Sequence, residues 1–229
     1  SAILNEILFI RLQLFGKKIE SLLHLPQMQD EKAKQIMHLL ANLTPPTSLI
    51  NPKLFMYILL KMTSISLKFG NTDYSPFAYS CYGIILSSRF FDFKRTASLQ
   101  EVALKLVEKY DNYPIKTKVY YTIATYLNHW SEHLRKNLEY GKKAEAFARE
   151  TGDWMMLGIT LTEMVQLKCM MGESIEEIQR CCRAALDRIK YGMPDSKNLL
   201  KAIGQFLKNL SGKTADPFSF SSEDYDENA

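Results

Sequence analysis

Apolar residues recur at helical spacing through most of this chain, in runs separated by Gly, Pro, Asp and Asn. The pattern predicts ten helical runs. The first spans Ile3 to Leu25, with Ile3, Ile7, Ile10, Leu14 and Leu22 on or near one stripe, and Pro26 ends it. Asp30 opens a run to about Leu43, followed by a Thr44-Pro45-Pro46-Thr47 loop. Asn51-Pro52 starts Lys53 to Phe69, apolar on more than one side. Then come Tyr74 to Phe91, Ala97 to Tyr110, Ile115 to Trp130, Leu134 to Glu150, Trp154 to Met171, Ile175 to Tyr191 and Lys197 to Leu210. Gly83 falls inside one of these runs, and a close helix contact there accounts for its tolerance.

The stretch His129 to Trp154 organises the rest. It ends one run, carries a second and starts a third. Within it Thr151-Gly152-Asp153 reads as a tight turn: Gly152 accepts left-handed geometry, and Asp153 accepts from free N–H groups of the next helix. Gly141, Ala144 and Ala148 leave room for a neighbouring helix. The turn recurs. Asp30, Asp73, Asn112, Asp153 and Asp195 each precede a run, spaced 43, 39, 41 and 42 residues apart, and Gly70, Gly152 and Gly192 close the runs before three of them. A period near 40 with two helices each is a solenoid signature. Trp154-x-x-Leu157-Gly158-x-x-Leu161 matches the first-helix pattern of a tetratricopeptide repeat, with Leu in place of Tyr. The expected fold is all-α, a right-handed solenoid of antiparallel helix hairpins. It occupies residues 1–210 as one domain, with helices 3–25 and 197–210 as caps.

An apolar share of 46% is enough for a continuous core. The net charge of +4 is uneven: residues 211–229 carry one Lys against five acids, so they read as an acidic, disordered tail with Phe218 and Phe220 as anchors. Cys81, Cys169, Cys181 and Cys182 have no paired CxxC spacing and read as reduced thiols of a cytoplasmic protein. No run is apolar enough for a membrane span, and no cleavage pattern follows the first one. Ser1-Ala2 reads as a scar on a piece of a longer chain.

Three constellations carry candidate chemistry. His129-x-x-Glu132-His133 has the H-x-x-E-H form of inverted zinc metalloproteases. On a helix, the two histidines would share a face, with Glu132 as general base. Packing of the histidines and Trp130 at a hairpin corner outweighs that, and no metal or other cofactor is expected. Lys142, Lys143, Arg149, Arg180, Arg183 and Arg188 are too mixed with acids for a nucleic-acid stripe. Tyr74, Tyr79, Tyr82, Tyr120 and Tyr121 are the candidate partner-binding surface, with core packing as the alternative.

Lys68-Phe69-Gly70-Asn71-Thr72-Asp73-Tyr74-Ser75-Pro76-Phe77-Ala78-Tyr79, Tyr82-Gly83, His129-Trp130-x-Glu132-His133-Leu134-Arg135 and Glu150-Thr151-Gly152-Asp153 together resemble the helical-repeat region of large multidomain signalling kinases. In that family a Ser/Thr-kinase-like domain and a STAND-class AAA ATPase precede the repeats, and GAF and histidine-kinase domains often follow. The likeness covers about residues 50–190. It departs at Lys94-Arg95-Thr96-Ala97-Ser98, where the family has a glycine-containing helix start. The resemblance implies a non-catalytic sensor or scaffold segment, with the catalytic residues in other domains. Such a segment would bind a protein, a peptide or a small effector and regulate its neighbouring domains, without nucleic-acid binding or membrane insertion. The alternative is the effector-binding repeat domain of a STAND transcription activator.

Overall fold

The computed structural model describes residues 2–189, 193–222 and 225. Among these residues the secondary structure is helical, with two isolated β-bridges and no sheet. The chain divides into two compact units, residues 1–133 and 134–229.

In the first unit, α1 (Ala2–Leu14) is followed by a 3-10 turn (Ile19–His24), then α2 (Glu31–Ile50), α3 (Pro52–Phe69), α4 (Ser75–Phe90), α5 (Phe93–Lys109) and α6 (Tyr113–Thr122). Helices α2 and α3, α3 and α4, and α4 and α5 pack in succession. Their core is built from Leu60, Met62, Tyr79, Leu99 and Leu106. The expected single helix 3–25 is broken, because the chain leaves α1 through Gly16 at φ +68, where a helix cannot continue.

Helix α2 runs straight through the expected Thr44–Thr47 loop to Ile50, carrying Pro45 and Pro46 inside it. Proline lacks the N–H that would bond four residues back, so the Ala41 carbonyl loses its helical donor at Pro45. Two others replace it: Thr44 Oγ1 at 2.7 Å and Lys118 Nζ, reaching from α6, at 2.8 Å. A second departure follows α6. The expected run to Trp130 passes into a π turn (Ile123–Leu127) and a 3-10 turn (Asn128–Trp130). The buried Asn128 carbonyl then accepts from the N–H groups of Ser131 and Glu132.

The α4–α5 hairpin closes around Gly83. A Cβ there would lie 3.2 Å from Leu127 Cδ2, and the buried Thr96 hydroxyl donates to both the Gly83 and Asp92 carbonyls. Thr96 thereby seals the hairpin.

The second unit contains α7 (Arg135–Thr151), α8 (Trp154–Met170), α9 (Ile175–Arg188) and α10 (Pro194–Leu210), each packed on the next. Helix α7 buries Tyr140, Gly141, Ala144 and Ala148. Gly152 is left-handed at φ +67, and Asp153 Oδ1 accepts from Met156 N–H at 3.0 Å, as the turn requires. Tyr191 and Gly192 lie outside the described residues. Past α10, Asn209 Nδ2 donates to Thr214 Oγ1 and to the Pro217 and Ser219 carbonyls, and Gln205 donates to the Phe220 carbonyl. Phe220 also packs beside Phe206, whereas Phe218 is 98% exposed and anchors nothing.

Candidate partner-binding site

The side chains at the helix starts do more than cap. Asp30, Asn51, Asp92, Asn112, Asp153 and Ser174 each accept from a backbone N–H three residues on, which satisfies one of the free donors of the first turn. Asp73, expected among them, is different. Helix α4 starts at Ser75, whose hydroxyl accepts from Thr72 N–H. The Asp73 carboxylate instead accepts from Thr72 Oγ1 at 2.6 Å and from Asn112 Nδ2 at 2.5 Å. Asn112 uses its other amide atom, Oδ1, to cap α6. One residue therefore caps its own helix and ties it to the turn 39 residues earlier. Asp195 is likewise no cap, since it sits inside the first turn of α10.

Around this link lies an open cleft of about 670 Å³ lined by Asp73, Tyr110, Asp111, Asn112, Tyr113 and Pro114. The Tyr110 hydroxyl is buried there without a hydrogen-bond partner, and burial first, then the Asp73 charge, raises its pKa. Tyr74 is half-buried beside the cleft residues, with its hydroxyl 2.6 Å from His38 Nδ1. Desolvation and then Asp73 raise the Tyr74 pKa too. Asn42 Nδ2 stands 3.1 Å from the other nitrogen of His38 and steadies the ring. The cleft thus presents carboxylates, an amide and phenol edges, a surface suited to hydrogen-bonding a polar partner. The sequence pattern did not single out His38 or Tyr110, because the residues they meet are remote in the chain.

The five candidate tyrosines separate by burial. Tyr79 (0% exposed), Tyr82 and Tyr120 are interior, so a partner on the surface cannot reach their rings. Tyr79 donates to Asn71 Oδ1 at 2.8 Å, and Asn71 Nδ2 in turn donates to the Leu22 carbonyl. Tyr120 donates to Glu108. Tyr74 and Tyr121 are half-buried, and Tyr121 packs edge-on against the exposed Tyr126. Of the proposed surface, only these two can touch a partner.

The H-x-x-E-H residues do not share a helix face. His129 lies in the 3-10 turn, and His133 lies past its end. His129 instead packs on Trp130, which stacks on Phe93 at 4.6 Å, and burial lowers its pKa. Among the described residues, no group of three or more His, Cys, Asp and Glu is placed to hold a metal ion. The basic residues considered for nucleic acid are partly neutralised: Arg149 and Arg188 pair with Glu145, and Arg180 with Glu177. No described helix is long and apolar enough to cross a membrane. The four cysteines are free thiols.

The chain is 24% identical over 171 residues to hybrid signal transduction histidine kinase G of Dictyostelium discoideum. The match covers 73% of this chain and 5% of that kinase. No family model matches, and no solved structure matches.

Proposed function

We propose that this chain is a non-catalytic, tetratricopeptide-like sensor or scaffold segment of a multidomain signalling ATPase or kinase. Its hairpins are repeats of a solenoid array with a period near 40 residues. It binds a protein, peptide or small effector in the cytoplasm and regulates the domains beside it. The observation that carries this reading is the similarity of 73% of the chain to a small part of a hybrid signal transduction histidine kinase. A segment that small, built of helices packed in pairs, suits a module serving catalytic domains elsewhere in a long protein. The Asp73–Asn112 link is in keeping with the repeat reading, because it joins the turn before α4 to the cap of α6, 39 residues on. A ligand on a repeat array changes output only through its differential affinity for two states of the array.

The test removes residues 73–191 from the full-length protein. Basal catalysis is expected to persist and the response to signal to disappear. Turnover by the isolated segment, or an intact response in the deletion, overturns the reading.

A further inference from the structure

We propose that a groove between α9 and α10 binds an acidic peptide in extended form. The inference rests on reading the segment as a binding module, and it names a surface and a partner class. The groove encloses about 1150 Å³. Its lining carries Arg183 from α9, Lys201 and Lys208 from α10, and Lys213 just beyond, with no carboxylate among the described lining residues. Lys201, Gln205 and Lys208 recur at i, i+4 and i+7, so they share one face of α10.

Four cations elsewhere in this unit are matched with acids. Arg149 and Arg188 pair with Glu145, while Lys168 and Arg180 pair with Glu177, whose carboxyl is held down at about 2, chiefly by the Lys168 hydrogen bond. Arg183, Lys201 and Lys213 make no ion pair among the described residues. Like charges gathered on a concave wall raise the local potential and attract an anionic partner.

The floor decides which anion. Leu186 lines it from α9, half-buried. This aliphatic floor suits the side chains of a peptide better than bases, which bind single-stranded sites by stacking on aromatic rings. One wall is the backbone around Ser221, held to α10 by the Gln205 bond to the Phe220 carbonyl. Gln179 and Asn198 add amides that can pair with an extended main chain.

The probe is a short fluorescein-labelled peptide alternating Glu and Leu, titrated by anisotropy into the whole chain. A Lys–Leu peptide and an oligothymidine strand serve as controls. The same titrations are run on a chain ending at Ser222, because residues 223–229 carry four acids that would compete. The acidic peptide is expected to bind in at least one of these forms, more weakly as salt rises. Arg183→Glu combined with Lys201→Glu should weaken it by about tenfold or more, and the Gln versions by less. Both residues are exposed, so the fold should survive, and circular dichroism checks it. Absence of binding in both forms overturns the proposal. So does equal binding by the charge-reversed variant, or tighter binding of oligothymidine lost in that variant. Failure here leaves the deletion experiment to report separately on the sensor role.

Discussion

Lys118 Nζ donates a 2.8 Å hydrogen bond to the carbonyl oxygen of Ala41, across 77 residues of sequence. The carbonyl is available because Pro45, four residues on, has no N–H to give it. A charged donor from α6 thus lets α2 keep its helical path through two prolines.

Replacing Lys118 with Met should therefore destabilise the first unit by about 1–3 kcal/mol, the cost of removing a charged hydrogen bond. Pro45→Ala restores the helical donor and should shrink that loss. A double-mutant cycle on urea midpoints measures the coupling. Additive effects would show that Lys118 does not serve this carbonyl.

Gly70 sits at φ +97 and ψ −179, a region essentially reserved for glycine. A Cβ there would lie 2.2 Å from the Pro26 carbonyl oxygen, which accepts from Asn71 N–H. Gly70→Ala should cost at least about 2 kcal/mol, combining strain with a clash against backbone. Thermal denaturation checks this, and an unchanged midpoint would contradict the geometry.

Asp153→Ala removes a cap and should cost about 1 kcal/mol. Asp73→Ala should act differently, freeing Asn112 Nδ2 rather than the first turn of α4. Amide hydrogen exchange separates them. Faster exchange at Met156 is expected in the first variant. In the second, faster exchange at the start of α6 is expected, with Ser75–Ala78 little changed.

Glu163 in α8 is half-buried, and desolvation raises its pKa. Its folded pKa lies above its unfolded value, so the folded state binds its proton more tightly. That contribution is complete below the unfolded pKa and is lost as pH rises through the folded one. Glu163→Gln should therefore be more stable than the parent at neutral pH, with the gap closing in acid. Urea melts at several pH values test this, and a gap that widens in acid would refute it.

Purified in the absence of added metal, the protein should contain no stoichiometric zinc by elemental analysis, since His129 and His133 lie off a common helix face. His129→Ala should loosen the packing on Trp130 instead. One zinc per chain, lost in that variant, would overturn this.

What the sequence determined by itself was local. Apolar spacing, the Gly152 turn and the Asp30, Asn112 and Asp153 caps each depend on residues within a turn or two, so helices α2 to α10 were legible to within a few residues at most ends. The aromatic residues were ambiguous in the same terms: a tyrosine at helical spacing serves a core or a surface equally well. Tertiary structure alone decided that Tyr79, Tyr82 and Tyr120 are interior and that Tyr74 and Tyr121 reach the surface. It also decided the α2 prolines and the role of Asp73. In both cases the deciding partner, Lys118 or Asn112, is tens of residues away. A hydrogen bond can rescue a broken helical ladder or redirect a carboxylate only when packing brings its donor within about 3 Å, and local pattern carries no record of that distance.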